Sequence, residues 1–348
     1  MMNWKQLMGI GILGCSLVLC GCGSEDTGGY AGKESTVAAA TSQGFPVTVA
    51  NYDSQGHPVA TTYEKPPQKI ISLWQNSLET LLELDAADRI VAVSGIDDAR
   101  HLTAENQKIY PSLPLMTKYT LNQETAVTLH PDFILGWLFD FTGKANSIGT
   151  WDFWHERHVP VYMTMMNNAE FLQKHVVEEE LKYIEDVGKI VGNETKAKAI
   201  TGAIQEQLQR YAAWADTEKE PKVLIIGSLT KDLHIYTPRT LPGDIVTRLG
   251  GHVLGKEVES VGNAEIMSLE TAVAENPDII FIQSKPEIDQ ETLESVYQHP
   301  ALQEVNAVKN QRVYPIPFYT IRCPAVRIRD AIDIVAEGLY PERFASQS

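Results

Sequence analysis

A twelve-residue pattern occurs twice in this chain, and it constrains the architecture more than any other feature. Residues 124–135 read E-T-A-V-T-L-H-P-D-F-I-L, and residues 270–281 read E-T-A-V-A-E-N-P-D-I-I-F. Two places upstream of each glutamate stands a helix-starting residue, Asn122 in the first copy and Ser268 in the second. Both fit an N-cap that places a glutamate in the first helical turn, where the helix dipole favours negative charge. Each copy then turns at Pro-Asp and enters a short apolar run of buried-strand type. An echo this far apart is too long in period for a solenoid. It predicts two similar α/β lobes in one chain.

The rest of the chain repeats that grammar. Polar, strand-like sequence at 45–65, with a Gly-His-Pro turn at Gly56, predicts a leading hairpin. Apolar runs at 69–73, 90–93, 133–137 and 159–163 predict strands, with a helix over 77–84. Continuous apolar strands alternating with helices indicate a parallel sheet covered on both faces. From Glu178 onward two helices are predicted, broken at Gly192-Asn193, a C-cap followed directly by a new N-cap. The second, from Glu194, would be on the order of 30 Å long, enough to cross from one lobe to the other. Strands at 223–227, 279–283 and 312–316, and helices at 243–249, 291–297 and 325–338, complete the second half. The expected fold class is α/β: a lobe at 45–177, linking helices at 178–220 and a second lobe at 221–348.

Lys5 and the apolar run 7–19, too short to span a bilayer, read as a cleaved leader over 1–21. The leader ends in Leu19-Cys20-Gly21-Cys22, which resembles a bacterial lipobox and makes Cys22 the expected lipidation site. Residues 22–44, rich in Gly, Ser, Ala and Thr, would form a flexible tether. Cys323 is then the one cysteine left in the folded part, expected as a buried apolar residue. A net charge of −16 and a pI near 5.0 exclude the basic footprint of nucleic-acid binding.

An ordered set of segments carries a family likeness. K-I-I-S-L at 69–73, S-L-E at 77–79, the two Pro-Asp runs, V-G-K-I-V-G-N-E-T-K-A at 187–197 and A-V-K-N-Q-R-V-Y at 307–314 belong to it. Together they resemble ABC-importer substrate-binding proteins of the siderophore, haem and vitamin B12 type. The resemblance implies two Rossmann-like lobes joined by a single long helix, with ligand held between them and only slight opening and closing. It also implies that Glu124 and Glu270 dock onto arginines of the membrane permease, which works with an ATPase.

Cleft residues are expected in loops after strand ends. Those loops carry Trp74, Gln75, Trp137 and Phe139 in the first lobe, and Tyr236, Arg239, Tyr319 and Arg322 in the second. Aromatic faces and arginines suit a large, partly anionic chelate. The expectation is a monomeric, lipid-anchored extracytoplasmic receptor for a ferric siderophore, without cofactor and without a metal ligated by its own side chains. Haem, held through His234 or Tyr236, and a corrinoid are the alternatives. His155 and His158 lack the spacing of a zinc motif, and no G-x-S-x-G or phosphate-loop pattern supports an exported hydrolase.

Overall fold

The computed structural model describes residues 44–144, 147–164, 175–216, 219–258, 260–261 and 264–346. The expected leader, Cys22 and almost all of the tether lie outside the described residues. The chain opens with the antiparallel hairpin β1 (Val47–Tyr52) and β2 (Pro58–Tyr63). A parallel sheet follows, made of β3 (Ile70–Leu73), β4 (Ile90–Ser94), β5 (Leu115–Thr117), β6 (Phe133–Trp137) and β7 (Val161–Thr164) in the order β5-β4-β3-β6-β7. Its helices are α1 (Trp74–Glu83), α2 (Ala104–Ile109), α3 (Gln123–Thr128) and α4 (Trp151–His155). Helix α1 thus begins at Trp74, three residues earlier than its leucine spacing indicates.

Two helices, α5 (Val177–Val191) and α6 (Glu194–Ala212), lead to the second lobe. Its strands are β8 (Lys222–Leu229), β9 (Leu233–Tyr236), β10 (His252–Val253), β11 (Ser260–Val261), β12 (Ala264–Met267), β13 (Ile279–Ser284) and β14 (Val313–Pro317). They run in the order β11-β12-β9-β8-β13-β14, with β10 beside β8. Helices α7 (Leu241–Arg248), α8 (Leu269–Glu275), α9 (Asp289–Tyr297), α10 (Asn306–Lys309), α11 (Phe318–Ile321), α12 (Ile328–Leu339) and α13 (Pro341–Ala345) complete it. This second sheet is mixed, because β9 runs antiparallel to β8 and β12 antiparallel to β9.

The link between the lobes is a folded-back pair of helices, the second of them the long helix expected from Glu194. Gly192 takes the left-handed conformation that ends α5, at φ 77°. Gly188 then lets α6 approach so closely that a Cβ there would stand 2.3 Å from that of Ala197. Helix α5 touches α1 of the first lobe and α7 of the second, whereas α6 packs on α5 and α12. Helix α6 makes the crossing as well: near its start Lys196 Nζ pairs with Asp85 Oδ1 of the first lobe at 2.6 Å, and near its end the Tyr211 hydroxyl donates to Asp333 Oδ1 of α12 at 2.7 Å.

The repeat proves to be a structural clamp used once per lobe. Asn122 Oδ1 accepts the Thr125 amide N–H at 2.8 Å, and Ser268 Oγ accepts that of Thr271 at 3.1 Å, as N-caps do. His130 and Asn276, each just before Pro-Asp, both take left-handed conformations, at φ 48° and 50°. The aspartates then fasten the neighbouring strand. Asp132 accepts the Lys69 amide at 2.7 Å, and Asp278 accepts the Lys222 amide at 3.0 Å.

Successive strand residues serve different cores, as the period of two requires. Ile70, Phe133 and Leu135 join Val223, Ile225 and Phe281 in one apolar core that continues through α5 and α12. Ile71, Leu73 and Ile134 face a second core with Phe141 and Trp154, and Leu224, Ile226 and Ile280 face a third. One shared core running through both lobes resists large relative motion, unlike the thin polar interfaces of mobile domains.

Candidate ligand-binding cleft

Strands β3, β4 and β6 end side by side, and the loops that follow are tied to one another by indole N–H groups. Trp74 Nε1 donates to Asp140 Oδ2 at 2.8 Å, and Trp137 Nε1 donates to Asn76 Oδ1 at 2.9 Å. Each tryptophan is thus anchored in the loop that carries the other. The rings of Trp74, Trp137 and Phe139 lie 5.4–5.8 Å apart, tilted or edge-on. Phe139 is 50 % exposed and the two indoles are half-buried. With both N–H groups committed inside the protein, the cluster offers a visitor aromatic faces and no indole donor.

The cluster is bought with local strain. Trp74 adopts φ 71°, a region that bulky L residues avoid. Its ring lies against Gly95, where an added Cβ would stand 2.7 Å from Trp74 Cε3. Gly95 itself sits at φ 83°. Gly95→Ala is expected to cost roughly 1–3 kcal/mol, from backbone strain alone, and to displace the Trp74 ring. Chemical denaturation together with a shift in tryptophan emission would check both effects. Asp140 is fully buried, and burial pushes its carboxyl up to about 7 against the two N–H groups that Oδ2 accepts.

Gln75 and Tyr319 have a different position from Trp74: they help to close the two lobes against each other. Gln75 Nε2 donates to Glu79 Oε2 at 2.9 Å and to the His101 carbonyl at 3.0 Å. Tyr319 stacks on the His101 ring at 5.4 Å, and the Arg327 guanidinium lies over the Tyr319 ring, 5.0 Å from its centroid. Around them the lobes are cross-linked by His101 Nε2 with Glu287 Oε2 at 2.8 Å and by Lys285 Nζ with Asp97 Oδ2 at 2.6 Å. Arg327 Nη1 reaches Glu79 Oε2 at 3.1 Å and the His101 carbonyl at 2.9 Å. Glu79, His101, Glu287 and Arg327 were not singled out from sequence. The available signal was an acid within the apolar stripe of α1.

In the second lobe the antiparallel course of β9 changes what Tyr236 and Arg239 can reach. Tyr236 pairs with Ile225 in the middle of β8, away from the end where the parallel strands stop. Its ring lies over Gly227, and its hydroxyl donates to Gln283 Oε1 at 2.5 Å. Burial pushes that hydroxyl up to about 12. Arg239 is exposed but committed to Glu265 Oε1 at 3.0 Å and the Val258 carbonyl at 3.0 Å. Arg322 is exposed after α11, close enough to Tyr236 to lower its hydroxyl pKa against burial. His234 is exposed on β9.

Asp98, His101 and Glu287 could bring ligand atoms within 4.8 Å of one another. Arg100 already holds Asp98 through its Nε and Nη2, and His101 bonds Glu287 directly, so the trio reads as an ion-pair cluster. His155 stacks on Trp151 at 4.3 Å. Cys323 is fully buried, with its thiol pushed well up by burial.

Glu124 and Glu270 are both exposed, one at the start of α3 and one at the start of α8. Helix α3 follows β5, the outer strand of its sheet, and α8 follows β12, next to the outer strand of the other. Both strands run in the same direction as the central parallel strands of their sheets, so both glutamates sit at the end of the sheet where the cleft loops lie. Among the described residues, no helix is long and apolar enough to cross a membrane.

Residues 70–320 match the family model described as periplasmic binding protein. The chain is 24 % identical over 336 residues to the uncharacterized ABC transporter substrate-binding lipoprotein YvrC of Bacillus subtilis, covering 96 % of each. It is 22 % identical over 300 residues to a cobalamin-binding protein of Halobacterium salinarum, covering 85 % of this chain and 74 % of the relative. Among solved structures, a periplasmic binding protein from Veillonella parvula superimposes with a TM-score of 0.77 at 31 % identity, covering 86 % of this chain and 93 % of that one. By description these relatives are binding proteins rather than enzymes. The chain belongs to the periplasmic binding protein family, whose members work outside the cytoplasm.

Proposed function

We propose that this protein is the lipid-anchored receptor of an ABC importer and that it captures a ferric siderophore between its lobes. The observation that carries the ligand reading is the aromatic floor of Trp74, Trp137 and Phe139, whose indole donors are already satisfied. Such a floor binds by apolar and π contact. Arg239 is committed to Glu265, and the chain carries a net charge of −16, which repels anions at long range. A neutral or cationic chelate suits this site better than a strongly anionic one. Three hydroxamates neutralise ferric iron, whereas three catecholates leave a triply charged anion. A hydroxamate siderophore is therefore the ligand class proposed, narrower than the partly anionic chelate expected from sequence.

A corrinoid is the second reading, supported by the cobalamin-binding relative and by the broad apolar face of a corrin ring. Lipid on Cys22 would hold the monomeric receptor at the membrane, and Glu124 with Glu270 would dock on the permease. Isothermal titration of the purified protein with ferrioxamine B, a ferric tricatecholate, cyanocobalamin and haemin tests the ligand. Saturable binding of ferrioxamine B, with tryptophan quenching and no product, is expected. Binding of cyanocobalamin alone would move the assignment to the second reading, and binding of the tricatecholate alone would overturn the charge argument.

A further inference from the structure

We propose that Asp140 is a positioning residue for ligand capture: by accepting the Trp74 indole N–H, it holds that ring in its cleft-facing pose. The inference rests on the reading of Trp74 as part of the ligand floor. Trp74 leaves β3 at φ 71°, a costly conformation that the contacts of its side chain must offset. On one flank stands Gly95, which leaves room for the ring. On the other stands Asp140, whose Oδ2 accepts both Trp74 Nε1 and the Trp137 amide at 2.8 Å. The same oxygen therefore sets the pose of one ring and the backbone of the next. Gly136 keeps the approach open, because a Cβ there would stand 3.1 Å from Asp140 Oδ2 and 2.7 Å from Leu73 Cδ1.

A carboxyl is an expensive choice for this place. Asp140 is 0 % exposed, and its Oδ1 has no hydrogen-bond partner. Burying a carboxylate without a cation is costly, and a residue serving only to fill space would be apolar. The groups that act on it are the Trp74 and Trp137 N–H donors, and burial outweighs both; no ionised side chain contributes. From the β6 loop it faces Gly136 and Trp137, and its carbonyl accepts the Ile148 amide at 2.8 Å. Both protonation states are accordingly populated near neutral pH. An ionised carboxylate accepts a hydrogen bond more strongly than a neutral acid, so the hold on Trp74 tightens as the pH rises through about 7.

The test compares wild type, Asp140→Ala, Asp140→Asn and Trp74→Ala, with Trp74→Phe as the emission reference and ferrioxamine B and cyanocobalamin as probes. Trp74 emission is taken as the difference between wild type and Trp74→Phe. This difference should titrate with a midpoint near pH 7 in the wild type, and the Asp140→Asn protein should show no such transition. Asp140→Ala should lose at least tenfold in affinity for whichever probe the wild type binds, and Asp140→Asn, which keeps an acceptor, should stay within about threefold. Wild-type affinity in Asp140→Ala beside weakened binding in Trp74→Ala would overturn the positioning role alone. Full affinity in Trp74→Ala would instead overturn the ligand-floor reading, and this inference with it. Should Asp140→Ala fail to fold, the affinity–pH profile decides. A wild-type profile that changes near pH 7, flat in Asp140→Asn, supports the role; the same profile in both overturns it.

Discussion

A protein carrying Glu124→Ala together with Glu270→Ala is expected to bind its ligand like the wild type and to support no measurable uptake. The expectation starts from placement. Both carboxylates are exposed, each in the first turn after an N-cap, at matching positions in two lobes built on one pattern. Their contribution to the fold is small: a first-turn glutamate is worth roughly 0.3–1 kcal/mol through the helix dipole. Neither makes a contact with the Trp74–Trp137 floor, so affinity has no reason to change. A receptor that must present its cleft to a permease needs fixed charges on both sides of it, and these two are the pair that the repeat supplies. Losing one should leave partial transport. Normal transport by the double variant, or a loss of ligand affinity in it, would sink the docking assignment.

The largest loss of stability is expected from Arg327→Ala. Arg327 is 8 % exposed, and its partner Glu79 is 0 % exposed. Glu79 also accepts the Thr103 amide at 2.9 Å, Gln75 Nε2 at 2.9 Å and Asn106 Nδ2 at 3.1 Å, but Arg327 is its cation. Removing the arginine strands a buried carboxylate, which typically costs 3–5 kcal/mol. For a chain of this size that corresponds to a fall in Tm of roughly 4–8 °C. Glu79→Gln combined with Arg327→Met should recover much of the loss, because it removes both charges together. Arg329→Ala should cost about 1 kcal/mol or less, since its pair with Glu83 is partly solvated. A change below about 1 kcal/mol for Arg327→Ala would show that the lobes are held by the shared apolar core alone.

Much of this architecture was legible in the sequence because it is carried by short-range chemistry. The N-caps at Asn122 and Ser268, the Gly192 break, the leading hairpin and the apolar parallel strands all announce themselves within a few residues. Other features depend on distant partners and do not. The antiparallel β9 and β12 are short, with exposed residues such as His234 and Ile266, and carry no continuous apolar signal. Three-residue β5 is mostly exposed and reads as loop. The same limit applies to the cleft. Trp74, Trp137 and Phe139 were visible as aromatics after strand ends, but the bonds that join their loops span 61 and 66 positions. Asp140, set between two phenylalanines, was the clue that could have been weighed: an acid in an apolar run asks for a reason. Tyr236 and Arg239 stand in and just after the short antiparallel β9, and both bond within their own lobe, to Gln283 and Glu265.

The central claim is that the two cross-tied tryptophans form the floor on which the chelate rests. Its most direct test is the affinity of a folded Trp74→Ala and Trp137→Ala double variant, titrated calorimetrically with the chelate that binds the wild type best. Stacking on an aromatic face is worth about 0.5–1.5 kcal/mol per ring beyond its buried area, and the buried area adds more. The account predicts a loss of at least about a hundredfold in affinity, beside the fall in Tm that losing both indole bonds brings. Wild-type affinity in that variant would contradict it.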